Sequence, residues 1–148
     1  MSSKALTTET GNLGESVACK YLKDKGFEIL DRNYRKKYGE IDIVARGTGQ
    51  NRDFDAVSRE IPDVAHFVEV KSVSYETRDD LKWAVTHETW RPEELVHEFK
   101  LNQIRKAAET WIAERRWAGE VQVDVIAIRM VPREKYALVK YLPRVISE

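Results

Sequence analysis

Hydrophobic positions recur along this chain with two different periods, and each change of period marks an element. Leu13, Val17, Ala18, Tyr21 and Leu22 fall on one side of a helix over residues 9–25, and Gly26 supplies a stop. Three segments rich in β-branched and aromatic residues follow, 27–34, 40–45 and 65–73, and they predict strands. Residues 46–64, with Gly47, Gly49, Asn51, Asp53 and Pro62, predict a long, mobile loop between the second and third strands. Loops of that length are uncommon and are either functional or disordered. The polar segment 74–91 carries Trp83 and Trp90 and is expected to form a flap or a short irregular helix. Pro92 and two glutamates open a second helix, whose stripe of Leu101, Ile104, Ala108, Trp111 and Ile112 runs toward Gly119. Residues 121–130 and 136–146 predict two last strands. The order α-β-β-β-α-β-β predicts an α/β fold, a mixed β-sheet flanked by helices, in one domain over 1–148.

Composition narrows the class without naming a task. Lys plus Arg number 25 and Asp plus Glu number 25, so the formal net charge is zero. That balance argues against coating nucleic acid by bulk charge, yet leaves room for an acidic site beside a separate basic patch. No apolar run approaches the ~20 residues of a membrane span, and the first residues lack a signal peptide's apolar core. Cys19 is the only cysteine and reads as helix filler, so a cytoplasmic protein without disulfides is expected. His66, His87 and His97 are too widely spaced for a zinc cluster built with one cysteine. Trp111 fits the core, while Trp83 and Trp90 stay open as stacking residues.

The chemistry concentrates in the third strand. In His66-Phe67-Val68-Glu69-Val70-Lys71-Ser72, side chains alternate, so Val68 and Val70 share the buried face and Glu69 and Lys71 the other. Charges in the middle of an apolar strand cost free energy unless they are paired or hold a metal. The second strand has the same grammar: Ile41 and Ile43 are expected on one face, Glu40 and Asp42 on the other. Strands about 4.8 Å apart bring Asp42 beside Glu69. Two carboxylates suit Mg²⁺ or Mn²⁺, which polarise a phosphodiester and lower the pKa of a bound water. Lys71 is placed to orient that water or steady the phosphoryl oxygens. A solvated face with an ordinary Glu–Lys pair explains these two strands equally well. Pro62-Asp63 imitates the "PD" of such motifs. Asp63, however, lies six residues from Glu69, roughly 20 Å along an extended strand.

Further residues border the motif. Gly11 and Gly14 are poor helix formers, and Gly14 on the apolar side implies close packing of helix on sheet. Glu15, at the stripe's edge, either reaches the acids or simply favours the helix dipole. Lys100 and Gln103 on the second helix either contact substrate phosphate or are solvated, and solvation is the simpler account.

The succession Gly-Asn-Leu-Gly-Glu15, Arg32-Asn33-Tyr34-Arg35, Gly39-Glu40-Ile41-Asp42 and Phe67-Val68-Glu69-Val70-Lys71 resembles the YraN-type family, and more distantly the archaeal Holliday-junction resolvases. The resemblance covers residues 11–72 well and continues loosely through the strand containing Asp124. It implies a restriction-endonuclease-like, PD-(D/E)xK core with Asp42, Glu69 and Glu15 as metal ligands. Lys71 would be the catalytic lysine, and Lys100 falls near the family's basic helical position. The implied activity is a Mg²⁺- or Mn²⁺-dependent DNA endonuclease acting on branched or single-stranded DNA, working as a homodimer. The alternative is a catalytically weak nucleic-acid- or protein-binding module on the same fold. Two departures, the long 46–64 loop and Ser72-Val73-Ser74-Tyr75 where an arginine is common, fall at the expected substrate mouth.

Overall fold

The computed structural model describes residues 3–47, 63–87 and 98–146. Helix α1 (Ser3–Asp24) leads into β1 (Glu28–Lys36), β2 (Gly39–Gly47) and β3 (Val64–Ser74). Two helices follow, α2 (Arg78–His87) and α3 (Glu98–Arg115), then β4 (Glu120–Val131), a 3₁₀ turn (Pro132–Glu134) and β5 (Tyr136–Leu142). The order differs from expectation by one element: part of the polar 74–91 segment is a regular helix, α2. Thr77 explains its start, since Asp80 N–H donates to the Thr77 side chain (3.1 Å), and Asp79 and Asp80 occupy the first turn. Only Leu81 and Ala84 of α2 are buried, so its apolar signal was faint. Most of the predicted 46–64 loop, Trp90, the Pro92 helix start and His97 lie outside the described residues.

The five strands form one mixed sheet in the order β1-β2-β3-β4-β5. All neighbours are antiparallel except β3 and β4, which run parallel over Val64–Glu120 to Ser74–Met130. A parallel pair needs a long crossover, and the segment holding α2 and α3 supplies it. Strand β3 is therefore central and buried along most of its length.

Helices cover both faces. On one, Ala18, Cys19 and Leu22 of α1 pack on Ile43, Ala45, Val68, Ile126 and Ile128. On the other, Ala107, Ala108 and Trp111 of α3 pack on Ile41, Val44, Ala65 and Phe67. Trp111 lies edge-on to Phe67 (5.5 Å) and donates to Asp31 (2.7 Å), which confirms it as core. No helix among the described residues is long and apolar enough to cross a membrane.

One expectation about the sheet is corrected. Ile41 and Ile43 do not share a face: Ile41 packs under α3 and Ile43 under α1. On β1, Arg32 pairs with Ile43 and Tyr34 with Ile41, so Asn33 stands across from Asp42. Asn33 has φ of 51°, the left-handed conformation that asparagine tolerates better than most residues. Both strands thus switch faces at a single residue, and plain alternation fails at the acid.

Candidate functional site

Glu15 is brought to the sheet by the glycine before it. Gly14 is buried against β3, where an added Cβ would overlap Ser72 Oγ and lie 2.7 Å from Ser72 Cβ. Helix α1 can lie this close only without a side chain at that position, as the apolar spacing predicted. Glu15 follows at 7% exposure, with Arg32 Nε 3.6 Å from its Oε1. Burial raises the Glu15 carboxyl above its ordinary range, although Arg32 pulls it down.

Asp42 sits where β2 and β3 part. Their pairing runs from Gly47–Val64 to Ile43–Val68 and goes no further. Beyond it Asp42 Oδ2 accepts a hydrogen bond from the Val70 N–H at 2.8 Å. Burial, then the charge of Glu69, pushes the Asp42 carboxyl up to about 7, with Glu15 adding to the rise. The Val70 bond and the Lys100 ammonium offset part of that. Asp42 therefore senses the charges of both Glu69 and Glu15, although their elements face different layers.

Glu69 is 4% exposed on the α3 side of β3. Its Oε1 lies 3.3 Å from Lys71 Nζ and 3.4 Å from Lys100 Nζ. Lys100, predicted as a basic helical position, thus joins the acids and also reaches Glu40 at 3.9 Å. Gln103 is one turn further on. Its backbone carbonyl packs against Gly39, and its side chain forms no bond to the acids among the described residues.

Three buried polar atoms have no hydrogen-bond partner among the described residues: Glu15 Oε1, Glu69 Oε2 and Ser72 Oγ. Two are carboxylate oxygens of the predicted site. Dry, unbonded carboxylate oxygens are costly, and an oxygen-seeking divalent cation is one chemistry that fits them. No three acidic, histidine or cysteine groups among the described residues are gathered closely enough to form a ready cage.

Arg32, whose role the sequence motif does not reveal, lies against Glu15. Asp63 is excluded from the site as expected, since it bonds Arg46 (2.5 Å) at the far end of β3. A second polar cluster went unseen. Asp124, fully buried, accepts from Tyr141 (2.5 Å), Gln122 (2.8 Å) and the Arg144 N–H (3.0 Å), and lies 2.6 Å from His66 Nδ1. Burial alone would raise the Asp124 carboxyl, but these bonds hold it below its ordinary range. An aspartate inside the apolar run Val123-Asp124-Val125-Ile126 was the available signal. Cys19 is buried in the α1 core, and Trp83 is exposed and stacked on His87 at 4.5 Å.

Comparison with known proteins gives this chain a family. Residues 14–128 match the family described as "Uncharacterised protein family UPF0102". A UPF0102 protein of Mycobacterium tuberculosis is 35% identical over 127 residues, covering 84% of this chain and 80% of its own length. A UPF0102 protein of Campylobacter jejuni is 34% identical over 119 residues, covering 80% and 82%.

Proposed function

Because the chain belongs to the UPF0102 family, the YraN-type family that its motifs resemble, we propose that it is a metal-dependent DNA endonuclease with a restriction-endonuclease-like, PD-(D/E)xK core. The observation that carries this reading is Glu69 Oε2, a buried carboxylate oxygen with no hydrogen-bond partner among the described residues, together with buried Glu15 Oε1, which faces Arg32 Nε at 3.6 Å, beyond a hydrogen bond. Asp42, Glu69 and Glu15 would hold Mg²⁺ or Mn²⁺, whose oxygen preference suits three carboxylates. Such an ion, when bound, polarises the phosphodiester and acidifies a water.

The chain's own groups do the rest. The Lys71 ammonium, steadied by Glu69 at 3.3 Å, positions the attacking water and offsets charge developing on the phosphoryl oxygens. Lys100 screens Glu69 from the opposite element and presents a second cation to substrate phosphate. Asp42 is partly protonated near neutral pH, so it must release a proton to ligate, and cation binding strengthens as pH rises through about 7. The substrate is DNA of branched or single-stranded character, and a dimer suits a substrate with two strands to cut.

One observation favours a second reading, a binding module with little catalysis: no ready three-ligand cage exists among the described residues. A cleavage assay on junction, flap and single-stranded DNA with Mg²⁺ and Mn²⁺ separates the two. Wild type is expected to cut, and Glu69→Ala and Lys71→Ala should each abolish cutting while thermal melts show an intact fold. Equal residual cleavage in both variants would trace the activity to a contaminant.

A further inference from the structure

The turn joining β1 and β2 projects an exposed tyrosine. Tyr38 is 63% exposed, and two ammonium groups lie over its ring, Lys37 Nζ at 5.3 Å and Lys106 Nζ at 5.9 Å from the centroid. The turn is pinned rather than free. A Cβ on Gly39 would overlap the Gln103 carbonyl oxygen, so the backbone rests directly on α3. Between turn and helix opens a cavity of about 470 Å³, lined by Arg35, Lys36, Lys37 and Lys106 against the single acid Glu40.

The cations of this cavity divide into two groups. Lys36 pairs with Glu114 at 2.7 Å and Arg35 with Glu40 at 3.6 Å. Lys37 and Lys106 have no acidic partner among the described residues, so their charge is available to a ligand. Glu40 also faces Lys100 at 3.9 Å, and Lys100 faces Glu69 at 3.4 Å. A row of charges therefore runs from Arg35 and Glu40, in the same cavity as Tyr38, to the acidic site.

We propose that the 35–39 turn is a single-strand platform, on which Tyr38 stacks against an unpaired nucleobase while Lys37 and Lys106 hold the flanking phosphates. An exposed aromatic ring flanked by cations that have no acidic partner among the described residues, and that can swing from the ring to phosphate, is what a nucleotide with an accessible base needs. A duplex hides its base faces in the stack and offers Tyr38 nothing to lie upon. The inference rests on the nuclease reading for its biological sense, since it assigns the substrate class of the same site, but binding is measurable without cutting.

The experiment is fluorescence anisotropy in EDTA. The probes are a labelled oligothymidylate of about twelve nucleotides, within the range of known single-strand sites, and a blunt duplex. Wild type should bind the single strand more tightly than the duplex. Tyr38→Ala should weaken single-strand binding roughly tenfold, and Tyr38→Phe should retain it. The Lys37→Ala/Lys106→Ala double variant should lower the salt slope by about 1.4. Unaltered binding by Tyr38→Ala, an equal loss on duplex, or no single-strand binding by wild type overturns the proposal. A protein that binds through Tyr38 yet never cuts would sink the nuclease reading alone, and one that cuts with Tyr38→Ala unimpaired would sink this one alone.

Discussion

Replacing Asp42 by asparagine should make the metal-free protein more stable, by an amount that grows with pH. The folded state raises this carboxyl from its ordinary 3.8 to about 7, chiefly by burial and by the Glu69 charge. Between those two values the folded chain holds a proton that the unfolded chain has released, so wild-type stability falls as pH rises. The loss is absent below about pH 4 and complete above about pH 7, where it reaches on the order of 4 kcal/mol. Asparagine keeps an acceptor for the Val70 N–H and never ionises. The Tm of Asp42→Asn minus that of wild type should therefore climb on the order of 10 °C between pH 4.5 and pH 8 in EDTA. Adding Mn²⁺ at pH 8 should raise the wild-type Tm in a concentration-dependent way and leave Asp42→Asn unmoved. A Tm difference that stays flat across pH would refute the buried, charge-crowded picture of Asp42. A variant that still gains stability from Mn²⁺ would remove Asp42 from the ligand set.

Three other substitutions test the frame around the site. Gly14→Ala should cost about 1–3 kcal/mol, because helix α1 must lift from Ser72. Ser72→Ala should be neutral or mildly stabilising in a urea titration, since it deletes a buried hydroxyl with no hydrogen-bond partner. Asp124→Ala should cost about 3 kcal/mol at pH 7, as it strands His66 and Tyr141. Because the Asp124 carboxyl is held below its ordinary value, its contribution is present above about pH 4 and lost as pH falls further. The gap between Asp124→Ala and wild type should accordingly narrow in acid.

Much of this structure is legible in the amino-acid sequence. The stripes from Val17 to Leu22 and from Ile104 to Trp111, and the β-branched runs around Val68 and Ile126, are large, periodic signals, and they mark the two helical layers and the two central strands. Glu69 and Lys71 were legible because charges inside an apolar strand need a reason. The α2 helix is only one of two alternatives for residues 74–91 in the sequence, because two buried residues in ten do not raise a detectable period, although Thr77 offers a cap signal. The arrangement at Asp42 was misread for a different cause. Alternation is a rule about regular backbone, and the positive φ of Asn33 across the ladder suspends it. Nothing in Ile41-Asp42-Ile43 itself records that its two isoleucines serve different layers. Tyr38 gave no period at all, since its surroundings come from a helix more than sixty residues away in sequence.

The crossover at Asp42 means that this sheet carries a spare link in two adjoining strands. Ile41 and Ile43 already alternate correctly if the residue between them is ignored, and so do Arg32 and Tyr34. Neither Asn33 nor Asp42 fills hydrophobic volume in either layer. The seam therefore has room for a residue chosen for its chemistry, of which the architecture asks only an acceptor for the Val70 N–H.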